Sequence, residues 1–229
     1  MTIARLFGLE AKRALIIGGT PIGHATQALF AEAGATCVLV DPQSDPDAVA
    51  GAVDEFAAQH RGIDILVYAA TLTGTFPLAN LTLEQWDRLH NHNLRGAFVA
   101  IRQAVRHMRD HDGGVIVGVS TMGAVHPVLQ GNAAYGSSKA GLNALIRAVA
   151  LDEHANGIRA NIIMPGAVPV GDPDADTVRL GGPAMEPGRL MLGMGSCEDV
   201  AAGILYLASP ASRFMTGQAL VLDGGFLIS

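Results

Sequence analysis

Short apolar runs alternate with stretches of helical period along this chain. Ala14-Leu15-Ile16-Ile17 is the first run and stops at Gly18-Gly19. A helical period follows from Gly23 to Ala33, with Ala25, Leu29, Phe30 and Ala33 apolar and Gly34 as the stop. Thr36 to Val40 is a second strand, closed by Asp41-Pro42, and residues 45–60 read as a helix. Ile63 to Ala70 is a third strand, and Leu83 to Met108 a long helix or a pair of helices. Gly114 to Val119, Tyr135 to Asn156, and Ala160 to Met164 then read as strand, helix and strand, with Pro165-Gly166 as the break. Residues 167–197 are rich in Gly and Pro and show little periodicity. Glu198 to Ala208 is a helix and Ala219 to Leu222 the last strand. The strands are apolar on both faces, so the sheet must be covered on both sides. Right-handed crossovers between parallel strands then predict a doubly wound, three-layer α/β/α fold. No repeat or linker divides the chain, so residues 1–229 read as one domain.

Composition adds exclusions. Apolar residues make up 49% and charged residues 16%, with 28 glycines, which fits a compact fold with many tight turns. The net charge of −6 comes from 15 scattered basic and 21 acidic residues, so no basic stripe offers itself to nucleic acid. No apolar run reaches the ~18 residues of a spanning helix, so no membrane partner is expected. Met1 to Glu10 lacks the apolar core of a signal peptide, and the expected home is the cytoplasm. Cys37 and Cys197 form no C-x-x-C pair, so neither a disulfide frame nor a metal site is expected.

Gly18-Gly19-Thr20-Pro21-Ile22-Gly23 lies between the first strand and the first helix. Such a loop turns backbone N–H groups and a helix N-terminus towards a pyrophosphate, although a tight turn without ligand has the same composition. Asp41 ends the second strand, 18 residues after Gly23. A carboxylate there accepts hydrogen bonds from a ribose diol and repels a 2′-phosphate. No Arg or Lys occurs from Ala14 to Gln59, so NAD is favoured over NADP.

Tyr135-Gly136-Ser137-Ser138-Lys139 opens a predicted helix, with Tyr135 and Lys139 four apart on one face. A phenol of pKa ~10 is a poor acid–base group at neutral pH. A neighbouring ammonium favours its anion and lowers that value. Proton exchange with a substrate oxygen can then accompany hydride transfer to or from a nicotinamide. Ser120-Thr121 ends the preceding strand at the carboxyl edge of the sheet, where ligands of open α/β sheets bind.

The glycine loop, Asn93-Leu94-Arg95-Gly96, Ser120-Thr121, Tyr135-x-x-x-Lys139, Asn161-x-x-x-Pro165-Gly166 and Gly217 to Gly225 occur in one order. In that order they resemble the short-chain dehydrogenase/reductase family over nearly the whole chain. The resemblance implies a Rossmann-like fold, NAD(P) as cofactor and a catalytic group of four. Tyr135 is the implied acid–base, Lys139 its electrostatic partner and ribose holder, and Asn93 the support of a relay water. A hydroxyl of Ser120 or Thr121 orients the substrate carbonyl. Ala69, Ala70, Pro165, Gly166 and Val168 are implied as further cofactor contacts, and a homo-oligomer, tetramer or dimer, as the assembly.

Four departures from the family pattern gather at the nucleotide. Gly19 and Gly23 fit the glycine motif with Ala25 as third small residue, or else Gly23 is the last glycine and the loop is one residue short. The usual Asn-Asn-Ala-Gly reads Tyr68-Ala69-Ala70-Thr71, and the usual threonine after Pro-Gly is Val170. One helix alone fits between Asp41 and Asp64, so a strand–helix unit is missing. Three functions follow: an oxidoreductase interconverting a secondary alcohol and a ketone, a non-catalytic homologue with a binding or structural role, or a family member doing different chemistry, such as dehydration or isomerisation, at the same site. In residues 167–195, Met185, Leu190, Met191, Leu192 and Met194 stand against Arg179, Glu186 and Arg189. They predict either an apolar lid over a small, hydrophobic alcohol or carbonyl substrate, or packing against neighbouring subunits.

Overall fold

The computed structural model describes residues 2–41, 45–168, 174–178 and 180–229. Met1, Pro42, Val170 and Arg179, named above, lie outside these residues. The first half runs α1 (Ile3–Phe7), β1 (Arg13–Ile17), α2 (Pro21–Glu32), β2 (Thr36–Val40), α3 (Pro46–His60) and β3 (Ile65–Tyr68). The second runs α4 (Leu83–His90), α5 (Gly96–Arg109), β4 (Gly114–Val119), α6 (Ala133–Glu153), β5 (Ile158–Pro165), α7 (Cys197–Ala208) and β6 (Ala219–Leu222).

All six strands are parallel, in the order β2-β1-β3-β4-β5-β6. The chain moves outward from β1 to β2, then crosses back to β3 and continues the other way. The carboxyl ends of β1 and β3 therefore flank the switch point, where an open α/β sheet leaves a crevice. Residue alternation sets the two faces. Leu15, Ile17, Leu66 and Tyr68 pack with α3, α5 and α6, whereas Ala14, Ile16, Ile65 and Val67 pack with α2 and α7. This is the three-layer arrangement that the hydrophobic pattern predicts. Among the described residues a single helix joins β2 to β3, and β2 is the half-buried edge of the sheet, in keeping with the missing unit.

Boundaries differ from the sequence reading where side chains cap or bend the backbone. Helix α2 begins at Pro21 because Thr20 accepts a hydrogen bond from the Gly23 N–H at 3.1 Å. Proline suits the first turn, where its missing N–H costs nothing. Strand β3 is shorter than the apolar run, since the Ala69 and Ala70 N–H groups both turn to the Ile17 carbonyl. The segment expected as one helix or two divides at a π-helical turn, Asn91–Arg95. The five-residue helix α1 has no counterpart in the periodicity, being too short to show one.

Candidate active site at the carboxyl edge

At the switch point the backbone is bare. Gly18 has φ = +120°, and a Cβ there would lie 2.2 Å from the Ala70 nitrogen. Only glycine meets both conditions. A Cβ on Gly19 would lie 3.0 Å from the Asp41 carboxylate, so Asp41 stands at the rim of this loop. Gly23 is buried in α2, where a Cβ would meet the Gly18 carbonyl at 2.2 Å. Gly23 thus brings the helix close onto the loop. Ile22 beside it is core.

The π-helical turn places Asn93 inside. Its Oδ1 accepts from the Leu72 N–H, and its Nδ2 donates to the Leu72 carbonyl, both at 2.9 Å. Nδ2 also donates to Ser138 Oγ at 3.1 Å, so the fully buried amide ties the loop after β3 to α6. Tyr68 reinforces the turn by donating to the His92 carbonyl at 2.7 Å. That hydroxyl needs Gly96, where a Cβ would come within 2.4 Å of it. The His92 imidazole is pushed down in pKa by burial and by Lys139, with Asp41 acting the other way.

Lys139 is wholly buried and donates to Thr71 Oγ1 and the Val119 carbonyl at 2.9 Å, and to the Ala70 carbonyl at 3.4 Å. Burial among uncharged acceptors brings its pKa down to about 7. Tyr135, one turn earlier, is half-buried with its ring at a cavity. Its pKa is pushed up to about 12 by burial, opposed by a hydrogen bond with Thr121. The expected lowering by Lys139 is therefore corrected: desolvation wins here, and Thr121 is the group that opposes it.

The serine–threonine pair separates cleanly. Ser120 is buried and donates back to the Lys139 carbonyl at 3.4 Å, whereas Thr121 lines the cavity beside Tyr135. That cavity measures about 640 Å³ and is floored by Gly166, Ala167 and Val168 after β5. Pro165 ends β5, and a Cβ on Gly166 would collide with Asp223 at 2.6 Å. Of the lid residues, Met185, Glu186, Leu190 and Met194 line the cavity. Met191 instead packs on Gly225, Leu192 is exposed, and Arg189 lies over the Phe226 ring at 4.9 Å. Arg88 on α4 holds the segment 174–178 through the buried Asp174 carboxylate, with two contacts of 2.7 Å. Arg88→Ala should leave that carboxylate buried without its cation and lower stability by about 2 kcal/mol. Urea unfolding measures the loss, and an unchanged midpoint would mean Asp174 finds water instead.

The structure thus brings Thr121, Tyr135, Gly166 and Val168 to one cavity, with Lys139 and Asn93 one layer behind. Gly18, Gly19, Thr20, Asp41, Ala69 and Ala70 gather at the neighbouring crevice. Thr71, Thr73, Asn132 and Ser138 are site residues that the motifs do not single out; the change from the family's glycine to Thr71 is the signal that pointed there. Among the described residues no group of His, Cys, Asp and Glu could hold a metal, and no helix is long and apolar enough to cross a membrane.

Comparison with known proteins places this geometry. Residues 23–227 match a family model described as enoyl-(acyl carrier protein) reductase. A 3-oxoacyl-(acyl-carrier-protein) reductase of Thermotoga maritima is 32% identical, over 96% of this chain and 99% of that protein. The cis-4-hydroxycyclohexanecarboxylate dehydrogenase of Sinomonas cyclohexanicum is 33% identical, over 94% of this chain and 97% of that protein. A short-chain dehydrogenase of Burkholderia cenocepacia, solved in complex with NADP, superposes with a TM-score of 0.84 at 30% identity, over 96% of this chain and 99% of that one. With its sheet order, its Tyr135–Lys139 pair and these matches, the chain belongs to the short-chain dehydrogenase/reductase family, NAD(P)-dependent oxidoreductases acting on CH–OH or C=O groups.

Proposed function

We propose that this chain interconverts a hydrophobic secondary alcohol and its ketone with NAD as the preferred cofactor and Tyr135 as the acid–base. The observation that carries the reading is the pairing of the Tyr135 and Thr121 hydroxyls at one apolar cavity, with Lys139 buried directly behind. The residues fit a dinucleotide. Gly18 and Gly19 leave backbone bare at the switch point, Asp41 stands beside Gly19 at the rim of that loop, and the Lys139 ammonium is held by uncharged oxygens, one of them a hydroxyl like those of a ribose. Gly18, Gly19, Thr20, Ile22 and Gly23 would hold the pyrophosphate side; Ala69, Ala70, Pro165, Gly166 and Val168 would hold the rest.

When bound, the nicotinamide supplies or accepts the hydride. Thr121 orients the substrate oxygen, and Tyr135 exchanges a proton with it. A phenol held near 12 is protonated at neutral pH and ready to donate to a forming alkoxide. In the oxidative direction it must first lose that proton. Asn93 fixes the loop that carries Thr71 and would support the relay water from there.

Met122, Val128, Leu129, Ala184, Leu190 and Met194 make the cavity wall apolar, and Glu186 is the one carboxylate among the described lining residues. No cation lines it among those residues, so a substrate without a carboxylate fits better than one that carries it. The same reading includes a cytoplasmic homo-oligomer, dimer or tetramer, packed through α5 and α6. Phe98 and Leu151 on those helices are 45% and 73% exposed, and neither described cysteine forms a disulfide.

Titration of the purified protein with NADH and NADPH tests the reading. Micromolar NADH affinity with weaker NADPH binding is expected, and Asp41→Ala should shift the ratio of the two by about tenfold towards NADPH. Binding of neither would leave the non-catalytic alternative in front. An unchanged ratio in the variant would remove Asp41 from the ribose.

A further inference from the structure

We propose that Thr71 is a positioning residue that sets the charge state of Lys139, its hydroxyl replacing the carboxylate that a buried ammonium ordinarily requires. The inference deepens the functional reading and rests on it for its consequence, though not for its test.

A lysine with no exposed surface is costly unless its charge is paired. Among the described residues no salt bridge reaches Lys139. Its three donors go instead to Thr71 Oγ1, the Val119 carbonyl and, more weakly, the Ala70 carbonyl. Two of these are backbone that any sequence supplies at the ends of β3 and β4. Thr71 is the one side chain, and it stands where the family pattern has a glycine.

The polarity of this contact is settled by chemistry. An ammonium only donates, so Thr71 Oγ1 accepts from it and must place its own hydrogen elsewhere. That hydrogen goes to the Ala69 carbonyl at 3.3 Å. The same carbonyl accepts from Thr20 Oγ1 at 3.3 Å, and Thr20 caps α2. Lys139 is thereby linked through Thr71 and one carbonyl to the loop proposed to hold the nucleotide. A hydroxyl polarised by donating to a carbonyl is a better acceptor for the ammonium. The arrangement also leaves the 3.4 Å contact to Ala70 as the weakest of the three, the one most easily exchanged for a ribose oxygen.

Of the ionisable groups near Lys139, Tyr135 lies one turn earlier on the same helix and His92 on the π-helical turn feels its charge. His92 feels the charges of both Lys139 and Asp41. Asp41 also acts on Tyr68. Thr71 is the side chain that shares a described hydrogen bond with the Lys139 ammonium, so its removal should move the Lys139 titration.

Lys12 and Lys139 are the two lysines of the chain, which makes a direct measurement possible. Carbon-13 labelling of lysine gives two side-chain signals, assigned with Lys12→Arg, and each is titrated in the cofactor-free protein. Lys139 should titrate far below Lys12. Thr71→Val, which keeps the shape and removes the hydroxyl, should lower the Lys139 midpoint by about one pH unit. Thr71→Ser, which keeps the hydroxyl, should restore it. An unchanged midpoint in Thr71→Val, or a serine variant that behaves like valine, overturns the proposal. Failure of NADH binding in the wild-type protein would overturn the functional reading and leave this result standing.

Discussion

Tyr135→Phe lowers turnover by roughly 1,000-fold and leaves NADH affinity nearly unchanged: this is the largest effect expected on activity. The substitution removes one oxygen and keeps the ring, so the cavity wall formed by Tyr135 with Thr121, Met122 and Val128 keeps its shape. What disappears is the proton donor for the substrate oxygen and the hydrogen bond with Thr121. Thr121 keeps its bond from the Gly123 N–H at 3.2 Å, so its backbone does not move. The effect should fall on kcat, because the missing hydroxyl acts on charge that develops in the transition state. Steady-state kinetics with a neutral cyclic ketone, alongside NADH titration, separate the two quantities. Retention of most activity would take the proton away from Tyr135. A parallel loss of NADH affinity would mean the hydroxyl serves the nucleotide instead.

The motifs that show in the sequence are those whose spacing is imposed by one element. Tyr135 and Lys139 share a helix face, and Ser120-Thr121 ends a strand, so position follows from secondary structure alone. The six strands are legible for the same reason: each is a short apolar run bounded by turn residues, and β6 is found at the expected limits. Asn93 is a different case. Its motif is visible, yet its burial depends on the π-helical turn, which leaves no periodic signal in five residues. The choice between Ser120 and Thr121 also needs coordinates. Successive strand residues face opposite sides, and nothing in the pair says which side is open. Here Ser120 turns to the Lys139 carbonyl and Thr121 to the cavity.

Burial reverses one electrostatic inference. Tyr135 and Lys139 one turn apart suggest a lowered phenol, but spacing carries no information on dielectric. In the structure the ammonium is itself desolvated to about 7 and the phenol raised to about 12, so each group is displaced towards its neutral form. Tyr68 and Thr71 are visible as departures from the family pattern. Their roles emerge only with distances: Tyr68 closes the π-helical turn, and Thr71 meets Lys139.

Lys139→Met should make the protein more stable and nearly inactive. Removing the ammonium removes its desolvation, and methionine fills a similar volume without charge. Against this stands the Val119 carbonyl, which loses its donor at about 1–3 kcal/mol. The Lys139 pKa falls from its ordinary 10.5 to about 7 in the fold. Below about 7 both folded and unfolded chains carry the proton, and the folded state bears the whole penalty. Between about 7 and 10.5 the unfolded chain binds more protons, so wild-type stability rises with pH, by at most ~1.4 kcal/mol per unit. Above that window neither state is charged and the penalty is gone. The variant should therefore exceed wild type by about 2 kcal/mol at pH 6, the difference between charge penalty and orphaned carbonyl, and lose that lead by pH 9. Turnover should fall at least about 100-fold at pH 6, because the cation beside Tyr135 and the proposed ribose contact go together. Urea unfolding at pH 6, 7.5 and 9 reads the first effect. A variant less stable than wild type at pH 6, or a gap that ignores pH, would mean that Thr71 and the two carbonyls already offset the burial of the charge, and that Lys139 is kept for the fold as much as for the chemistry.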